Sequence, residues 1–277
     1  TNFFVNVNEG IQAACQEKGV ELGWTIDDRD ASKMKTAIDT YVMQGSDIIV
    51  DFTVLAETGT AIAAELANEG IPMLSVDCAY DGAFFFGVNN EMAGATAGEY
   101  VKEWVTANWN GEIDAVQVLF NEANGETVKL RVSAAADVLT GAGMAKDDIV
   151  TYTNINSSGA TTTDVSYVRS LVVDYLTAHP TEDNIVIIAQ TDEQATAANA
   201  AVLSSDRVKD VVIVSHNCDL SVVSMLQKAE GSIIGTVNYN SAGYGAQIVD
   251  ACAKILDAKE KGETLDWNFY NEVYVVN

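Results

Sequence analysis

Basic residues are scarce in this sequence, since 15 Lys and Arg stand against 40 Asp and Glu, a net charge of −25. A surface of this sign repels polyanions, so we expect no nucleic-acid partner. No apolar run approaches the ~20 residues that span a bilayer. The start shows neither an initiator Met nor a basic segment followed by an apolar stretch. We therefore expect a processed or trimmed chain, and the missing signal says nothing about compartment.

Motifs for phosphate binding and for common catalysis are also absent. The sequence contains no GxxxxGK[ST], no GxGxxG after a strand, no HExxH, no GxSxG and no EF-hand spacing. The four cysteines form no C-x-x-C pair, which excludes a zinc knuckle or thioredoxin motif. We expect no catalytic residue, metal or cofactor, although any two carboxylates of this acidic chain can form a glycosidase pair.

Histidine is limited to two positions. His179, in LTAHP, is typical of a surface residue at a helix end. His216 ends a predicted strand, and in one interpretation its side chain faces a cleft. Cys218 would then be its one plausible partner for a catalytic dyad. Cys15 and Cys252 lie on apolar helix faces and are expected in the core.

What the sequence does contain is an alternation of strand-like and helix-like segments. Val20 to Ile26 is the first predicted strand, and continuous apolar runs such as DNIVIIAQ and VKDVVIVSH follow. Such alternation predicts an α/β protein with parallel sheets covered by helices on both faces. About ten strands favour two doubly wound lobes over one large sheet. Ligands of such folds bind beyond the carboxyl ends of the strands.

Short polar side chains are concentrated at those predicted strand ends. They are Asp51, Thr53, Asp77, Asn121, Asn154, Thr191, Asp192, Asn217 and Asn238. Carboxylates and amides hydrogen-bond adjacent hydroxyl groups, and rings such as Tyr239 pack on apolar C–H faces, so the set suits a small polyhydroxylated ligand. The same residue types also serve as helix N-caps at any βα junction, and both interpretations stay open.

Several segments in order resemble the type I periplasmic sugar-binding proteins of the ribose-binding kind. TNFFVNVNEGIQAACQEKG resembles the family's opening NPFF helix, and FGVNNEMAGATAGEYV is similar to its GxDNxxAGxxAG block. QGSDIIVDF, ANEGIPMLSVD, LTAHPTEDNIVIIAQTDEQATAANAAV and GTVNYNSAGYGAQIVDA resemble further family segments. The resemblance covers nearly the whole chain.

The resemblance implies a first strand before the opening helix, and here that strand of the first lobe is missing. We therefore expect a strand and any export signal upstream in the gene. In the family the two rings, here Phe3 and Phe4, sandwich the sugar. The alternative for these rings is a hydrophobic staple into the first lobe.

The family's binding residues carry over unevenly. Asp77 matches the aspartate that grips sugar hydroxyls, and Cys78 replaces the arginine after it. The second cleft arginine corresponds to Lys129, or its role passes to Arg131. The remaining implied ligand positions are Thr1, Thr191, Asn217 and Tyr239. Because Arg is a fixed bidentate donor and Cys is not, these departures point away from simple ribose, galactose or arabinose.

The resemblance implies two lobes joined by a three-segment hinge. Lobe one would comprise residues 1–109 and 240–264, and lobe two residues 110–239 and 265–277. The implied function is an extracytoplasmic solute-binding protein, periplasmic or a cell-surface lipoprotein. As a monomer and without catalysis, it binds a sugar or polyol between its lobes and delivers it to an ABC transporter permease. The alternative is the effector-binding core of a lactose-repressor-type regulator, and a sugar-modifying enzyme is a third class.

Overall fold

The structure is a computed structural model. It describes the backbone of residues 2–53, 55–121, 125–144, 149–153 and 165–277, and the side chains of residues 5–53, 55–121, 126–144 and 165–277. Within this part of the chain the helices are α1 (Asn2–Lys18), α2 (Ala31–Met43), α3 (Ala56–Asn68), α4 (Asn90–Trp109), α5 (Gly125–Gly141), α6 (Val165–Ala178), α7 (Asp192–Ser204), α8 (Leu220–Lys228) and α9 (Ser241–Lys261). The strands are β1 (Ile49–Asp51), β2 (Met73–Val76), β3 (Phe84–Gly87), β4 (Ala115–Phe120), β5 (Ile149–Thr153), β6 (Ile185–Ala189), β7 (Val211–His216), β8 (Ile233–Asn238), β9 (Asn268–Tyr270) and β10 (Tyr274–Val276).

The chain divides into two compact units. Unit 1 comprises residues 1–88 and 240–272, and unit 2 comprises residues 89–239 and 273–277. The division differs from the expected lobe boundaries at two places, because it falls before α4 rather than after it and leaves residues 265–272 in unit 1. The packing of α4 on α5 and the pairing of β9 with β3 explain both differences.

Unit 1 is built on a four-stranded parallel sheet with the order β1-β2-β3-β9. Val7 and Ile11 of α1 and Ile248 of α9 form one core with Leu74 and Phe86 of the sheet. A second core joins α2 and α3 to β1 and β2. Helix α2 begins at an Asp30 cap, whose carboxylate accepts hydrogen bonds from the amides of Ser32 and Lys33.

Unit 2 is built on a six-stranded sheet with the order β10-β8-β7-β6-β4-β5. All neighbours are parallel except β10, which runs antiparallel to β8. Every residue of β4, β6 and β7 is buried, as continuous apolar strands between two helical layers should be. The predicted α/β class with parallel sheets is confirmed.

Two predicted strands differ from the structure. Val20–Ile26 forms no strand, and its apolar side chains Val20, Trp24 and Ile26 are exposed. A strand needs a hydrogen-bonded neighbour, and residues 20–26 have none in the described sheet. The edge strand β1 pairs only with β2. The sequence also predicts a closing strand at Asn271–Val276, but only Tyr274–Val276 of it forms a strand, β10 of unit 2, and the preceding strand β9 ends at Tyr270 in unit 1.

Glycines allow two pairs of helices to approach closely. A Cβ on Gly94 of α4 would lie 2.5 Å from the carbonyl oxygen of Leu130, and one on Gly98 would lie 2.7 Å from that of Ala135. In unit 1, a Cβ on Gly245 would lie 2.4 Å from the backbone nitrogen of Ile11. The AGATAG segment at residues 93–98 of α4 is therefore a surface for helix packing, and it determines the position of α5 and its side chains.

Cys15 is buried and Cys252 is half-buried against the same core, as expected, and all four cysteines are free thiols. None of the described helices combines the length and apolarity that crossing a membrane requires.

Candidate functional site

In unit 2, Arg131 lies at the centre of a polar cluster, here called the arginine cluster, formed by Arg131, Asn90, Asn217, His216 and Tyr239. The Arg131 guanidinium lies 4.7 Å from the centre of the Tyr239 ring. Its Nε donates a 2.7 Å hydrogen bond to Oδ1 of Asn90, and its Nη1 lies 3.5 Å from Oδ1 of Asn217. An aromatic face and two amides therefore orient the guanidinium.

The local sequence explains why these side chains meet. Arg131 is on α5, whose position is fixed by close packing on α4, and Asn90 is the first residue of α4. Asn217 and Tyr239 follow the parallel strands β7 and β8 at the same edge of the sheet. The carboxyl edge of the sheet thus receives side chains from neighbouring strands and helices, as α/β folds allow.

Tyr239 and His216 form the buried side of the arginine cluster. Tyr239 is 8% exposed, and its hydroxyl lies 2.9 Å from Nδ1 of His216, which is fully buried. Burial, together with the nearby Arg131 charge, lowers the pKa of His216 to about 3. Burial also raises the pKa of the Tyr239 hydroxyl, so both groups are uncharged at neutral pH.

His216 is therefore not the cleft-facing histidine of the sequence interpretation. Its side chain has no solvent exposure, because β7 is a central strand covered on both faces. The possible partner Cys218 is half-buried, and burial together with the charges of Asp192 and Asp219 raises its pKa. A neutral thiol and a neutral buried imidazole make a poor nucleophilic pair.

Lys129 and Arg131, the two alternatives for the cationic ligand position, have different surroundings. Nζ of Lys129 lies 3.3 Å from Oε2 of Glu126 and 5.6 Å from the centre of the Phe120 ring. Arg131 contacts Asn217 and Tyr239, two of the expected ligand positions. The structure thus brings Asn217 and Tyr239 together with Arg131, while the nearest partners of Lys129 are Glu126 and Phe120.

Thr191 serves as the N-cap of α7, with its hydroxyl accepting a 3.4 Å hydrogen bond from the Gln194 amide. This is the capping role that the sequence left open for polar residues at βα junctions. The next residue, Asp192, is buried and accepts hydrogen bonds from Ser215, Thr236 and the Asp219 amide. No local sequence pattern indicates that Asp192 joins three other segments, because those contacts span 23 to 44 residues.

In unit 1, Asp77 and Cys78 follow β2 at its carboxyl end. Asp77 is exposed, has a left-handed backbone with φ of 60°, and accepts a hydrogen bond from the Tyr244 hydroxyl on α9. Non-glycine residues adopt this conformation where surrounding contacts impose it, which is common at functional sites. Burial and the nearby carboxylates of Asp51 and Asp77 raise the pKa of the Cys78 thiol.

A second polar group follows β1. Oδ2 of Asp51 accepts a 2.5 Å hydrogen bond from the Tyr80 hydroxyl, and the Thr53 hydroxyl bonds Asp27. Burial raises the pKa of Asp51 and of Tyr80. Because Tyr80 and Asp51 are buried, this group holds the loop after β1 in place and offers little surface to a ligand.

Three of the predicted ligand positions lie at the amino terminus. Thr1 lies outside the described residues. Phe3 and Phe4 belong to α1, but their side chains are outside the described ones. Among the side chains that the structure does describe, no group of three His, Cys, Asp or Glu is arranged to hold a metal ion.

The sequence model of a protein family described as "Periplasmic binding protein domain" matches residues 1–260 of this sequence. The chain belongs to this family. It is also 27% identical to a xylitol-binding protein of Mycolicibacterium smegmatis over 81 residues, which are 29% of this chain and 23% of that protein. The aligned part thus spans less than a quarter of that relative.

Solved structures share the fold across nearly the whole chain. A crystal structure from Mycobacterium smegmatis has a TM-score of 0.81 at 22% identity, covering 97% of this chain and 87% of that one. A Caulobacter myo-inositol binding protein bound to myo-inositol has a TM-score of 0.65 at 19% identity, covering 99% and 88%. The periplasmic binding protein fold inferred from the sequence is confirmed.

Proposed function

We propose that this chain is an extracytoplasmic solute-binding protein that takes up a sugar or sugar-like polyol and delivers it to an ABC transporter permease, with no bond made or broken. The observation that carries the proposal is the arginine cluster. A guanidinium is held in a fixed orientation beside an exposed amide, at the carboxyl edge where α/β folds bind ligands.

The side chains at the two edges fit a neutral, hydroxyl-rich ligand. Arg131 and Asn217 supply donors and an acceptor, and the exposed Asp77 carboxylate can accept from two adjacent hydroxyl groups. A net charge of −25 disfavours an anionic ligand. We therefore propose that Asp77, Arg131 and Asn217 contact the ligand directly.

The cationic position is assigned to Arg131 rather than to Lys129. The Arg131 guanidinium is oriented by Asn90 and Tyr239, whereas Lys129 is a half-buried ammonium paired with Glu126. A planar, fixed fork of donors loses less entropy on binding hydroxyls than a flexible lysine does. Cys78, Thr191, Thr1, Phe3 and Phe4 stay in the proposal on the sequence resemblance alone.

We assign Tyr239 an indirect role instead of stacking on the ligand. Its ring is 8% exposed and lies against Arg131, and its hydroxyl bonds His216. It therefore acts on the ligand through the orientation of Arg131.

The named relatives support a polyol or sugar as the ligand class and an ABC transporter as the partner. One is a xylitol-binding protein, and another is a myo-inositol binding protein with myo-inositol bound. A further structural neighbour is an ABC transporter periplasmic solute binding protein of Actinobacillus succinogenes with bound D-allose. These relatives favour the transport function over the repressor-type alternative.

A thermal-shift screen tests the proposal. The probes are xylitol, myo-inositol, D-allose, L-arabinose and D-galactose, each added to the purified chain at millimolar concentration. A probe at 100 times its Kd stabilises the fold by about 2.7 kcal/mol, which raises Tm by several degrees. Absence of any shift across sugars and polyols contradicts the proposal.

Variants then locate the binding groups. Asp77→Ala and Arg131→Lys should remove the shift, whereas Lys129→Ala should keep it, which separates the two candidate cations. Lys102→Ala is the control for loss of a surface cation, since Lys102 pairs with Glu99 on the exposed side of α4. Loss of the shift in Lys129→Ala and not in Arg131→Lys would reverse the assignment.

A further inference from the structure

Asp192 connects four segments of unit 2. It is the first residue of α7 and is 1% exposed. Its Oδ1 accepts hydrogen bonds from the hydroxyls of Ser215 on β7 and Thr236 on β8, and its Oδ2 accepts one from the backbone amide of Asp219. A helix N-cap needs none of these long-range contacts, so capping does not explain them.

The turn at residues 217–219 has a strained backbone. Asn217 has φ of 115° and Cys218 has φ of 59°, a conformation that side-chain-bearing residues rarely adopt. Each amide of the turn is tied to a neighbouring group: Asn217 donates to the Val237 carbonyl at 3.0 Å, Cys218 donates to the Thr236 hydroxyl at 3.1 Å, and Asp219 donates to Asp192. The Thr236 hydroxyl in turn donates to Asp192, so two of the three bonds depend on that carboxylate.

We propose that Asp192 is a positioning residue that holds the turn at residues 217–219, with Asn217 and Cys218 at positive φ, and thereby places the Asn217 side chain beside the Arg131 guanidinium. The part of the proposal that concerns the turn is argued only from the hydrogen bonds of Asp192. Its consequence for ligand affinity rests on the proposed function, in which Asn217 contacts the ligand.

The geometry predicts which substitutions keep this hold. In Asp192→Asn, an amide oxygen at the Oδ2 position still accepts from the Asp219 amide, and the NH2 group at the Oδ1 position donates to the two hydroxyls, which can act as acceptors. Asp192→Ala removes every one of these bonds. Ser215→Ala is the matched control, because it removes one buried hydrogen bond of Asp192 and leaves the turn attached.

Amide hydrogen exchange of the whole ligand-free chain, resolved by NMR, tests the hold directly. The Asp219 amide should be protected in the wild type, in Asp192→Asn and in Ser215→Ala. In Asp192→Ala its exchange should rise at least tenfold while the Ile187 amide, at the centre of the sheet, is unchanged. Equal protection of Asp219 in Asp192→Ala and the wild type overturns the proposal.

A titration that needs only the folded wild type and Asp192→Asn gives a second readout, should Asp192→Ala fail to fold. Burial raises the pKa of Asp192 to about 6. The ionisable groups around it are Asp219, the Cys218 thiol and the Tyr239 hydroxyl, and neighbouring His216 stays neutral in this range. The Asp219 amide shift should show a titration step near pH 6 in the wild type, and this step should be absent in Asp192→Asn. A step near pH 6 that persists in Asp192→Asn overturns the proposal.

Binding of xylitol and myo-inositol, measured by calorimetry, then tests the consequence for affinity. A bound probe should lose at least tenfold in affinity in Asp192→Ala and less than threefold in Ser215→Ala. If neither probe nor any other polyol binds the wild type, the proposed function fails while the exchange result still decides the role of Asp192. If exchange is unaltered and binding persists, the positioning role fails and the function stands.

Discussion

Replacing Gly94 by alanine tests the helix packing that places Arg131. The new Cβ would lie 2.5 Å from the carbonyl oxygen of Leu130 and 2.6 Å from that of Arg131, whereas ordinary contact begins at 3.4 Å. Both neighbours are backbone atoms that cannot rotate away. Helices α4 and α5 must therefore separate by about 0.9 Å, the shortfall of the shorter contact.

The expected cost follows from two opposed effects. Overpacking of this kind costs about 1–3 kcal/mol, whereas alanine in place of glycine in a helix interior gains about 1 kcal/mol. The neighbouring approach at Gly98, where a Cβ would lie 2.7 Å from the Ala135 carbonyl oxygen, shows that the two helices are in backbone contact over more than a turn. We expect the free energy of unfolding to fall by about 1–2 kcal/mol, near the upper part of the difference.

Urea denaturation measures this change as a shift of the midpoint at unchanged m-value. Gly141→Ala is the matched control, because Gly141 is also in a helix of unit 2 and a Cβ there meets no atom within 4 Å. It should be neutral or stabilising by less than about 1 kcal/mol. If Gly94→Ala is as stable as Gly141→Ala, the close approach of α4 and α5 is refuted, and with it the reason given for the position of Arg131.

Three further substitutions test the buried polar groups and a helix cap. In Asp192→Asn, stability should depend less on pH: the folded-state pKa of about 6 lies above the usual 3.8, so the wild type loses stability as pH rises from about 4 to 6. Denaturation series across pH 3.5–7 should show that the wild type loses about 3 kcal/mol more unfolding free energy than Asp192→Asn does. Parallel curves of unfolding free energy against pH for the two proteins would refute this prediction. Tyr239→Phe should lower the free energy of unfolding by about 1–3 kcal/mol, since it removes the hydroxyl bonded to the buried His216, and no change at pH 7 would count against that bond. Asn89→Ala should cost about 1 kcal/mol, because the Asn89 side chain caps α4 by accepting from the Met92 amide at 2.9 Å, and Asn89→Ser should recover most of it.

The strands that were predicted correctly are those whose own residue pattern is sufficient to indicate a buried strand. The runs in β6 and β7 are apolar without interruption, which is typical of strands buried on both faces, and both were confirmed. Val20–Ile26 instead alternates apolar residues with polar residues or glycine, a pattern typical of a half-buried strand, but it is not a strand. A strand also requires a neighbour to pair with, and that requirement is not written in the segment itself.

The candidate site was less accessible to sequence reasoning. Short polar residues after the strands marked the correct edge, but they did not show which side chains turn inward. Asp192 and His216 are buried because of contacts with residues 23 or more positions away in sequence. The position of Arg131 depends on glycines of another helix, and only the three-dimensional packing shows that they lie beneath it.

The central proposal is that this chain binds a neutral polyhydroxylated ligand, with Arg131 and Asp77 among the groups that contact it. The most direct measurement is calorimetric titration of the wild type, Arg131→Lys and Asp77→Ala with the polyol that gives the largest thermal shift, followed by mass spectrometry of the recovered ligand. We predict one site per chain in the wild type, a loss of at least tenfold in affinity in each variant, and an unchanged ligand. Undiminished affinity in both variants, or a chemically altered ligand, would contradict the account.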